Sequence, residues 1–235
     1  MTDHQLVPTP HGEARLVRDR SRHPIATLLL GHGAGGGVEA PDLAALAAAL
    51  PRQGVTVIRV EQLWRLAGRR VAPHPQVLDE CFVAAANRLR VRTPLVVGGR
   101  SAGARSAART AGELGASGYV ALAFPLHPPG RPDRSRLAEL ESVTLPTLVV
   151  QGERDAFGTP DEFPPDRRLA VVPGADHGFR VPKRGLVTPE EAMAIVVEAV
   201  LEFVVRDIVG GSPAPSATRR NGNRTRPGRV GAEQA

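Results

Sequence analysis

Short apolar segments rich in β-branched residues alternate along this chain with Ala- and Leu-rich segments whose apolar positions recur at a helical period. This alternation is typical of βαβ units and predicts an α/β fold, in which a mostly parallel central sheet has helices on both faces. Six apolar runs are predicted to be buried strands: 25–30, 55–60, 95–97, 119–124, 148–150 and 169–172. Residues 13–20 are expected to add an edge strand.

The segments between these strands have the length and composition of helices. The predicted helices are 41–51, 75–89, 101–114 and a long closing helix at 189–209. The Pro- and charge-rich segment 125–143 interrupts the alternation, and we expect it to form a small lid with one short helix at 135–141. We therefore predict one domain over residues 1–210, followed by an apolar-poor tail, 211–235, that is expected to be disordered.

The formal net charge of +6 is concentrated in the tail. Residues 211–235 hold five arginines and one glutamate, so they carry a net charge of +4 and leave about +2 for the rest of the chain. A nearly neutral folded part and a tail without aromatic residues argue against a nucleic-acid partner, because contacts from a few arginines alone are weak and salt-sensitive. We therefore interpret the tail as a disordered segment to which the sequence assigns no function.

Other compositional features limit the function classes. No apolar run approaches the roughly 18 residues that span a bilayer, so we expect no membrane partner. Cys81 is the only cysteine, which excludes an internal disulfide framework and a thiolate-rich zinc site. The first residues lack a positive flank followed by a long apolar stretch, so a cytoplasmic protein is expected.

A candidate nucleophile lies between the predicted strand at 95–97 and the helix that follows it. Gly99, Ser101 and Gly103 match the pattern G-x-S-x-G, in which a serine occupies a sharp turn from strand to helix. Glycines on both sides relieve crowding in such a turn, and the N-terminus of the helix adds partial positive charge near the hydroxyl. Ser101 is therefore the predicted catalytic nucleophile.

A serine hydroxyl needs a general base, and the base needs an acid that orients it. Asp155 and His177 each follow one of the last two predicted strands. Loops after parallel strands meet at one edge of a sheet, so we predict His177 as the base and Asp155 as the orienting acid. Glu153 and Asp176 are competing acids, but Asp155 lies further into its loop than Glu153, and Asp176 is expected to face solvent.

The glycine-rich segment 31–37 follows the strand at 25–30 and exposes backbone N–H groups. A tetrahedral acyl intermediate needs two such donors for its negative oxygen, and the expected oxyanion hole consists of the N–H groups of Ala34 and Ala102. Four further residues are the expected substrate contacts: His32, Gly33, Arg100 and Trp64.

The same segment also matches G-x-G-x-x-G through Gly31, Gly33 and Gly36, with Glu61 at the end of the next strand. That pattern is typical of dinucleotide-binding folds. This alternative leaves the ordered Ser, Asp and His positions at three strand ends without an explanation.

Four short motifs lie at the predicted strand ends: GHGAGG at 31–36, GGRSAGAR at 98–105, QGERDAFGTP at 151–160 and GADHGF at 174–179. With these motifs the chain resembles α/β-hydrolase-like proteins related to dienelactone hydrolase, and more closely the bacterial relatives of the Tex30 and KANL3 group. The resemblance implies an α/β-hydrolase fold with catalytic residues at Ser101, Asp155 and His177. It departs from dienelactone hydrolase in having Ser101 where that enzyme has cysteine, so a dienelactone is not the expected substrate.

Together these features predict a serine hydrolase that cleaves a small carboxylic ester or thioester through an acyl-enzyme, with no metal and no organic cofactor required. The alternative is a catalytically silent scaffold or interaction protein, because the animal KANL3 relative is a subunit of a chromatin acetyltransferase complex and a fold alone does not fix function. The complete Ser, Asp and His set favours retained chemistry. The oligomeric state is not predicted.

Overall fold

An eight-stranded sheet forms the centre of the fold, and the computed structural model describes residues 2–210. The strands are β1 (Thr2–Thr9), β2 (Gly12–Asp19), β3 (Ala26–Gly31), β4 (Val55–Glu61), β5 (Leu95–Arg100), β6 (Gly118–Leu122), β7 (Thr147–Gly152) and β8 (Arg168–Val172). Their spatial order is β1-β2-β4-β3-β5-β6-β7-β8. The hairpin of β1 and β2 joins β4 in antiparallel pairing, and the remaining pairings are parallel.

Helices cover both faces of this sheet. The described residues contain α1 (Pro41–Ala49), α2 (Leu63–Leu66), α3 (Pro75–Ala86), α4 (Ala102–Thr110), α5 (Leu137–Glu141) and α6 (Pro189–Glu202), which a π-helical segment, Phe203–Val209, continues. Because successive side chains of a strand point to opposite faces, Leu28 and Leu30 of β3 pack with α1 and α6, whereas Leu29 packs with α3 and α4. Among residues 2–210, no helix is both long enough and apolar enough to cross a bilayer.

The order of the strands creates a crevice between β3 and β5. After β3 the chain moves to β4 on one side, and after β5 it moves to β6 on the other side. The loops that leave these two strands therefore diverge, and ligand sites of parallel sheets lie at such points. Gly33 lies in the loop after β3, and Ser101 directly follows β5.

The structure confirms the predicted α/β fold with a mostly parallel sheet and helices on both faces. All seven predicted strands are present, but the sequence did not predict β1. Only Val7 of its eight residues is buried, so β1 lacks the apolar run that marks the central strands. The single turn α2 was also missed, and the tail at 211–235 lies outside the described residues.

Segment 125–143, the expected lid, lies against α4. Its short helix α5 is present, and Glu139 of α5 forms ion pairs with Arg105 and Arg109 of α4 at 2.5 and 2.9 Å. Leu140 is fully buried between these helices and the sheet. None of the residues of this segment lines the cleft described below, so this structure does not show a lid over the candidate site.

Candidate active site

Ser101 occupies the turn between β5 and α4. Its φ and ψ angles are 52° and −112°, a conformation that L-residues rarely adopt. The surrounding chain is so close that a Cβ atom on Gly99 or Gly103 would lie 2.5 or 2.3 Å from the carbonyl oxygen of Gly31. The two glycines of the motif therefore let α4 and β3 approach each other, and the strained turn presents the Ser101 side chain beyond the end of β5.

Ser101, His177 and Asp155 form one series of hydrogen bonds. The Oγ of Ser101 lies 2.9 Å from Nε2 of His177, and Nδ1 of His177 lies 2.8 Å from Oδ2 of Asp155. Because an ionised carboxylate only accepts hydrogen bonds, Nδ1 carries the proton, and Nε2 is free to accept the proton of the serine hydroxyl. Asp155 is fully buried, whereas Ser101 and His177 are partly exposed. The structure thus brings together the three residues that the sequence predicted as a catalytic set.

A buried amide that the sequence reasoning missed holds the Asp155 carboxylate. Nε2 of Gln151 donates to Oδ2 of Asp155 across 2.9 Å and to the carbonyl oxygen of Gly158 across 2.8 Å. The N–H of Phe157 donates to Oδ1 across 2.8 Å, and the Phe157 ring stacks on the His177 ring with 4.1 Å between centroids. The available signal was a glutamine at the end of the otherwise apolar strand β7, since buried polar side chains need partners.

The two competing acids have other partners. Glu153 accepts a hydrogen bond from the N–H of Gly174 across 2.5 Å, which joins the loops after β7 and β8. Oδ1 of Asp176 accepts from two backbone N–H groups just after His177, at 2.7 and 2.9 Å. Both acids therefore shape the loop that carries His177, and Asp155 is the one that contacts its ring.

The expected oxyanion donors lie on either side of the nucleophile turn. Ala102 is the first residue of α4, where helix geometry leaves its N–H without an intrahelical acceptor. Ala34 is exposed directly after Gly33, and a Cβ atom on Gly33 would lie 3.5 Å from Cβ of Ser101. The glycine-rich loop therefore lies against the nucleophile, and the role of these two N–H groups stays a prediction.

A cleft of about 700 Å³ opens beside Ser101. Its walls are the glycine-rich loop after β3, the start of α1 and the loops after β7 and β8. Of the four expected substrate contacts, Gly33 and Arg100 line the cleft, whereas His32 and Trp64 are each 1% exposed. Two of these residues therefore lie at the wall of the cleft, and the side chains of the other two are buried.

The buried side chain of His32 connects the glycine-rich loop to the residues after β4. Its Nδ1 lies 2.9 Å from the carbonyl oxygen of Gly33, and its Nε2 accepts a hydrogen bond from the N–H of Gln62 across 3.1 Å. Since Nε2 accepts, Nδ1 carries the proton and the ring is neutral. Burial lowers the pKa of His32. The ring also packs against Trp64 with 4.9 Å between centroids, so His32 joins the loop after β3 to the chain after β4.

Arg100 lines the cleft, but its guanidinium is bound to other parts of the protein. Its Nη2 donates to the carbonyl oxygen of His177, and its Nε lies 3.3 Å from Oδ2 of Asp42. Asp42 is in the first turn of α1 and only 1% exposed. Burial raises the pKa of Asp42, and the positive charge of Arg100 opposes that rise.

The G-x-G-x-x-G match does not form the tight strand-to-helix turn of a dinucleotide fold. Helix α1 begins five residues after Gly36, and Gly31 packs against Gly103 of α4. Glu61, the acidic residue at the end of the next strand, forms an ion pair with Arg15. These glycines serve the approach of α4 and the wall of the cleft.

A mostly parallel sheet with a serine at the turn between its fifth strand and the following helix is typical of the α/β-hydrolase fold. The family of the alpha/beta hydrolase domain matches residues 24–205. The match covers most of the chain, which therefore belongs to the α/β-hydrolase family.

Solved structures with this fold include several hydrolases. An α/β serine hydrolase without a lid from Xanthomonas campestris is 21% identical, with a TM-score of 0.69 over 92% of this chain and 97% of that chain. A serine hydrolase homologue from Coxiella burnetii is 20% identical, with a TM-score of 0.67 over 84% of this chain and 97% of that chain. Dienelactone hydrolase from Anabaena variabilis is 20% identical, with a TM-score of 0.68 over 88% and 97%. At these identities the likeness shows the fold.

Proposed function

We propose that this chain is a serine hydrolase that cleaves small carboxylic esters or thioesters by acyl transfer to water. The observation that carries the proposal is the series of hydrogen bonds from Ser101 through His177 to Asp155, at a strained turn beside an open cleft. Membership in the α/β-hydrolase family and the shared fold with serine hydrolases support it.

The proposed reaction begins when His177 takes the proton of the Ser101 hydroxyl and Oγ attacks the acyl carbon. Asp155 stabilises the resulting imidazolium, and the N–H groups of Ala34 and Ala102 bind the negative oxygen of the tetrahedral intermediate. His177 then gives its proton to the leaving alcohol or thiol. A water molecule, deprotonated by His177, cleaves the acyl-enzyme and restores Ser101.

The finer parts of the proposal rest on motifs and composition. Ser101 in place of the cysteine of dienelactone hydrolase favours an ordinary ester or thioester over a dienelactone. Within the family, the four strand-end motifs favour a place beside the bacterial relatives of the Tex30 and KANL3 group. A single cysteine fits a cytoplasmic location.

Covalent labelling with a fluorophosphonate, followed by peptide mapping, tests this function. We expect the native chain to be modified at Ser101, Ser101→Ala to be unmodified, and Asp155→Asn to react on the order of 10⁴-fold more slowly. Ser106→Ala is the matched control, because Ser106 lies in α4 with 1% exposure and its hydroxyl has no partner among the described residues. This control should react at the native rate.

Turnover of p-nitrophenyl acetate and of a short acyl thioester then separates the two substrate classes. A folded native chain that is neither labelled nor able to cleave either compound would contradict the proposal. That outcome would favour a scaffold with an unused site.

A further inference from the structure

A basic surface covers the edge of the sheet opposite Ser101. Seven arginines line two adjoining clefts there: Arg18, Arg20, Arg22, Arg52, Arg88, Arg90 and Arg92. We call these seven residues the basic face. The clefts have volumes of about 740 and 480 Å³ and share Arg20 and Ser21, so they form one continuous surface. Thr27 and Thr56, near the starts of β3 and β4, also line it, which places it at the amino ends of the strands.

Charge is segregated within the folded part of the chain. The basic face has a net charge of +5 when two carboxylates beside it, Asp3 and Asp19, are counted against its seven arginines. Residues 1–210 together carry only +2, because five of the chain's 30 basic residues and one of its 24 acidic residues lie after residue 210. The remainder of this part is therefore net negative. A surface of one sign attracts ligands of the other sign.

Five of the seven arginines have no carboxylate partner within residues 2–210. Arg18 and Arg20 pair with Asp3 across 3.4 and 2.7 Å, and the other five form no ion pair in the described part of the chain. Arg52 and Arg88 lie next to helix C-termini, where positive charge is favourable. The other three lie in connecting segments, so helix dipoles do not account for the cluster.

Hydrogen bonds hold the segments that carry these arginines. The N–H of Ser21 donates to the hydroxyl of Thr56 across 3.1 Å, and the hydroxyls of Thr27 and Thr93 lie 2.9 Å apart. These contacts tie the connection before β3 and the connection before β5 to the sheet. Arg20, Arg22 and Arg92, which are adjacent in sequence to Ser21 and Thr93, therefore extend from anchored backbone positions, which lowers the entropy lost on binding a ligand.

The described chain ends at the same edge of the sheet. Ile208 packs on Gly118 at the start of β6, and Asp207 forms an ion pair with Arg168 at the start of β8. The five arginines of the tail follow Gly210 in sequence. The tail is thus a second source of positive charge, and a test must separate it from the basic face.

We propose that the basic face binds a chain of phosphate groups, in the form of a single-stranded nucleic acid backbone. One guanidinium group can donate two parallel hydrogen bonds to the oxygens of a phosphate, and it can also stack on a base. Two joined clefts offer successive phosphates a concave path, which fits a strand and does not fit a flat lipid surface. Such contacts are independent of base sequence. This proposal replaces the expectation of no nucleic-acid partner, which rested on the nearly neutral total charge of the folded part and on a tail without aromatic residues, and not on how charge is distributed within the folded part.

Fluorescence anisotropy with a labelled oligothymidylate of about 16 nucleotides tests the proposal on the full chain. The face variant carries Arg88→Gln, Arg90→Gln and Arg92→Gln. The matched control makes the same charge change at three exposed arginines elsewhere: Arg131→Gln, Arg134→Gln and Arg184→Gln. We expect the face variant to bind at least about 10-fold more weakly at low salt, and the control within about threefold of the native chain. The slope of log Kd against log salt should fall by about 2, since each lost phosphate contact removes about 0.7.

Several results would overturn the proposal. One is the absence of binding by the native chain, and another is an equal loss in the face and control variants. A third is native affinity in the face variant together with loss of binding when the five tail arginines are replaced by glutamine. Competition by polyglutamate as effective as that by unlabelled oligonucleotide would indicate an acidic protein partner instead. A native thermal unfolding transition in the face variant shows that it is folded, and fluorophosphonate labelling at Ser101 remains a separate measurement.

Discussion

The carbonyl oxygen of His177 accepts a hydrogen bond from Nη2 of Arg100 across 2.6 Å. Arg100 directly precedes Ser101, so one side chain connects the backbone of the nucleophile turn to that of the proposed base. Its other contact is Asp42, whose buried carboxylate lies 3.3 Å from Nε of Arg100. A buried carboxylate is stabilised by a nearby positive charge. Arg100 and Asp42 therefore hold each other in place and, through Arg100, position His177.

Replacing Arg100 should reduce the rate of the chemical step. We expect Arg100→Gln to lower kcat for p-nitrophenyl acetate by about 10- to 100-fold, because a small displacement of the base has effects of this size. KM should stay within about threefold of the native value. Arg100→Lys should restore only part of kcat, since an ammonium group lacks the planar fork of a guanidinium. A higher KM with unchanged kcat would show instead that Arg100 binds the substrate.

A double variant separates catalysis from stability at the same pair. Arg100→Gln alone should lower the free energy of unfolding by about 1 to 3 kcal/mol, because it leaves the Asp42 carboxyl buried without compensation. Adding Asp42→Asn should recover most of that loss but not the loss of kcat. Denaturant unfolding and steady-state kinetics on the two variants check this, and joint recovery of both quantities would argue against a positioning role.

Gln151 offers a second way to test the proposed acid. Gln151→Glu places a second carboxyl group where the amide now lies 2.9 Å from Oδ2 of Asp155. Two carboxyl groups this close share a proton, so the pair should retain a proton to higher pH. The rising limb of the pH profile of kcat/KM should therefore move to higher pH. Gln151→Leu, which removes the amide donor without adding charge, is the control for the loss of the hydrogen bond, and its limb should move less than that of Gln151→Glu. Identical pH profiles for Gln151→Glu and the native chain would argue against Asp155 as the acid that orients His177.

Because α4 lies so close to β3, we predict that alanine destabilises the fold much more at Gly103 than at Gly112. Gly103→Ala would bring a Cβ atom to 2.3 Å from the carbonyl oxygen of Gly31, so we expect a loss of about 1 to 3 kcal/mol in the free energy of unfolding. Gly112 lies just after α4, and a Cβ atom there would meet nothing within 4 Å. Gly112→Ala should therefore change stability by about 0.5 kcal/mol at most. Thermal unfolding of the two variants compares them, and equal stabilities would show that α4 can move away from β3.

The positions of Ser101, Asp155 and His177 could be predicted because each follows a recognisable apolar strand, and parallel strands end at one edge of a sheet. Their mutual contacts then follow from the topology. This rule about the ends of parallel strands does not predict the contacts of residues elsewhere in the chain. Asp42 in α1 contacts Arg100 only because of how α1 packs on the sheet, and no local pattern marks that pair.

The clustering of charged residues on the surface could also not be predicted from the sequence. The arginines of the basic face come from the end of β2 and from three separate connecting regions, and the net charge of residues 1–210, which is nearly neutral, does not reveal that they cluster. The expected lid at 125–143 illustrates a related limit. Its composition predicted an exposed insertion, but the ion pairs of Glu139 with α4, which fix its place beside that helix, are long-range contacts.

The neutral ring of His32 predicts a pH dependence of stability. Burial lowers the pKa of His32 below its ordinary value of 6.5, so the unfolded chain binds a proton more readily than the folded chain does. The stabilising contribution of the neutral ring is therefore present above that value and is lost as the pH falls through 6.5 toward the folded pKa.

His32→Asn should destabilise the chain at about pH 8 but should lose less stability on going to about pH 5 than the native chain does. His23→Asn, at an exposed histidine, is the control and should keep the native pH dependence. Denaturant unfolding at several pH values checks the difference, which should not exceed about 1.4 kcal/mol per pH unit because one proton is involved. Parallel curves for His32→Asn and the native chain would mean that the buried ring is not the source of the dependence.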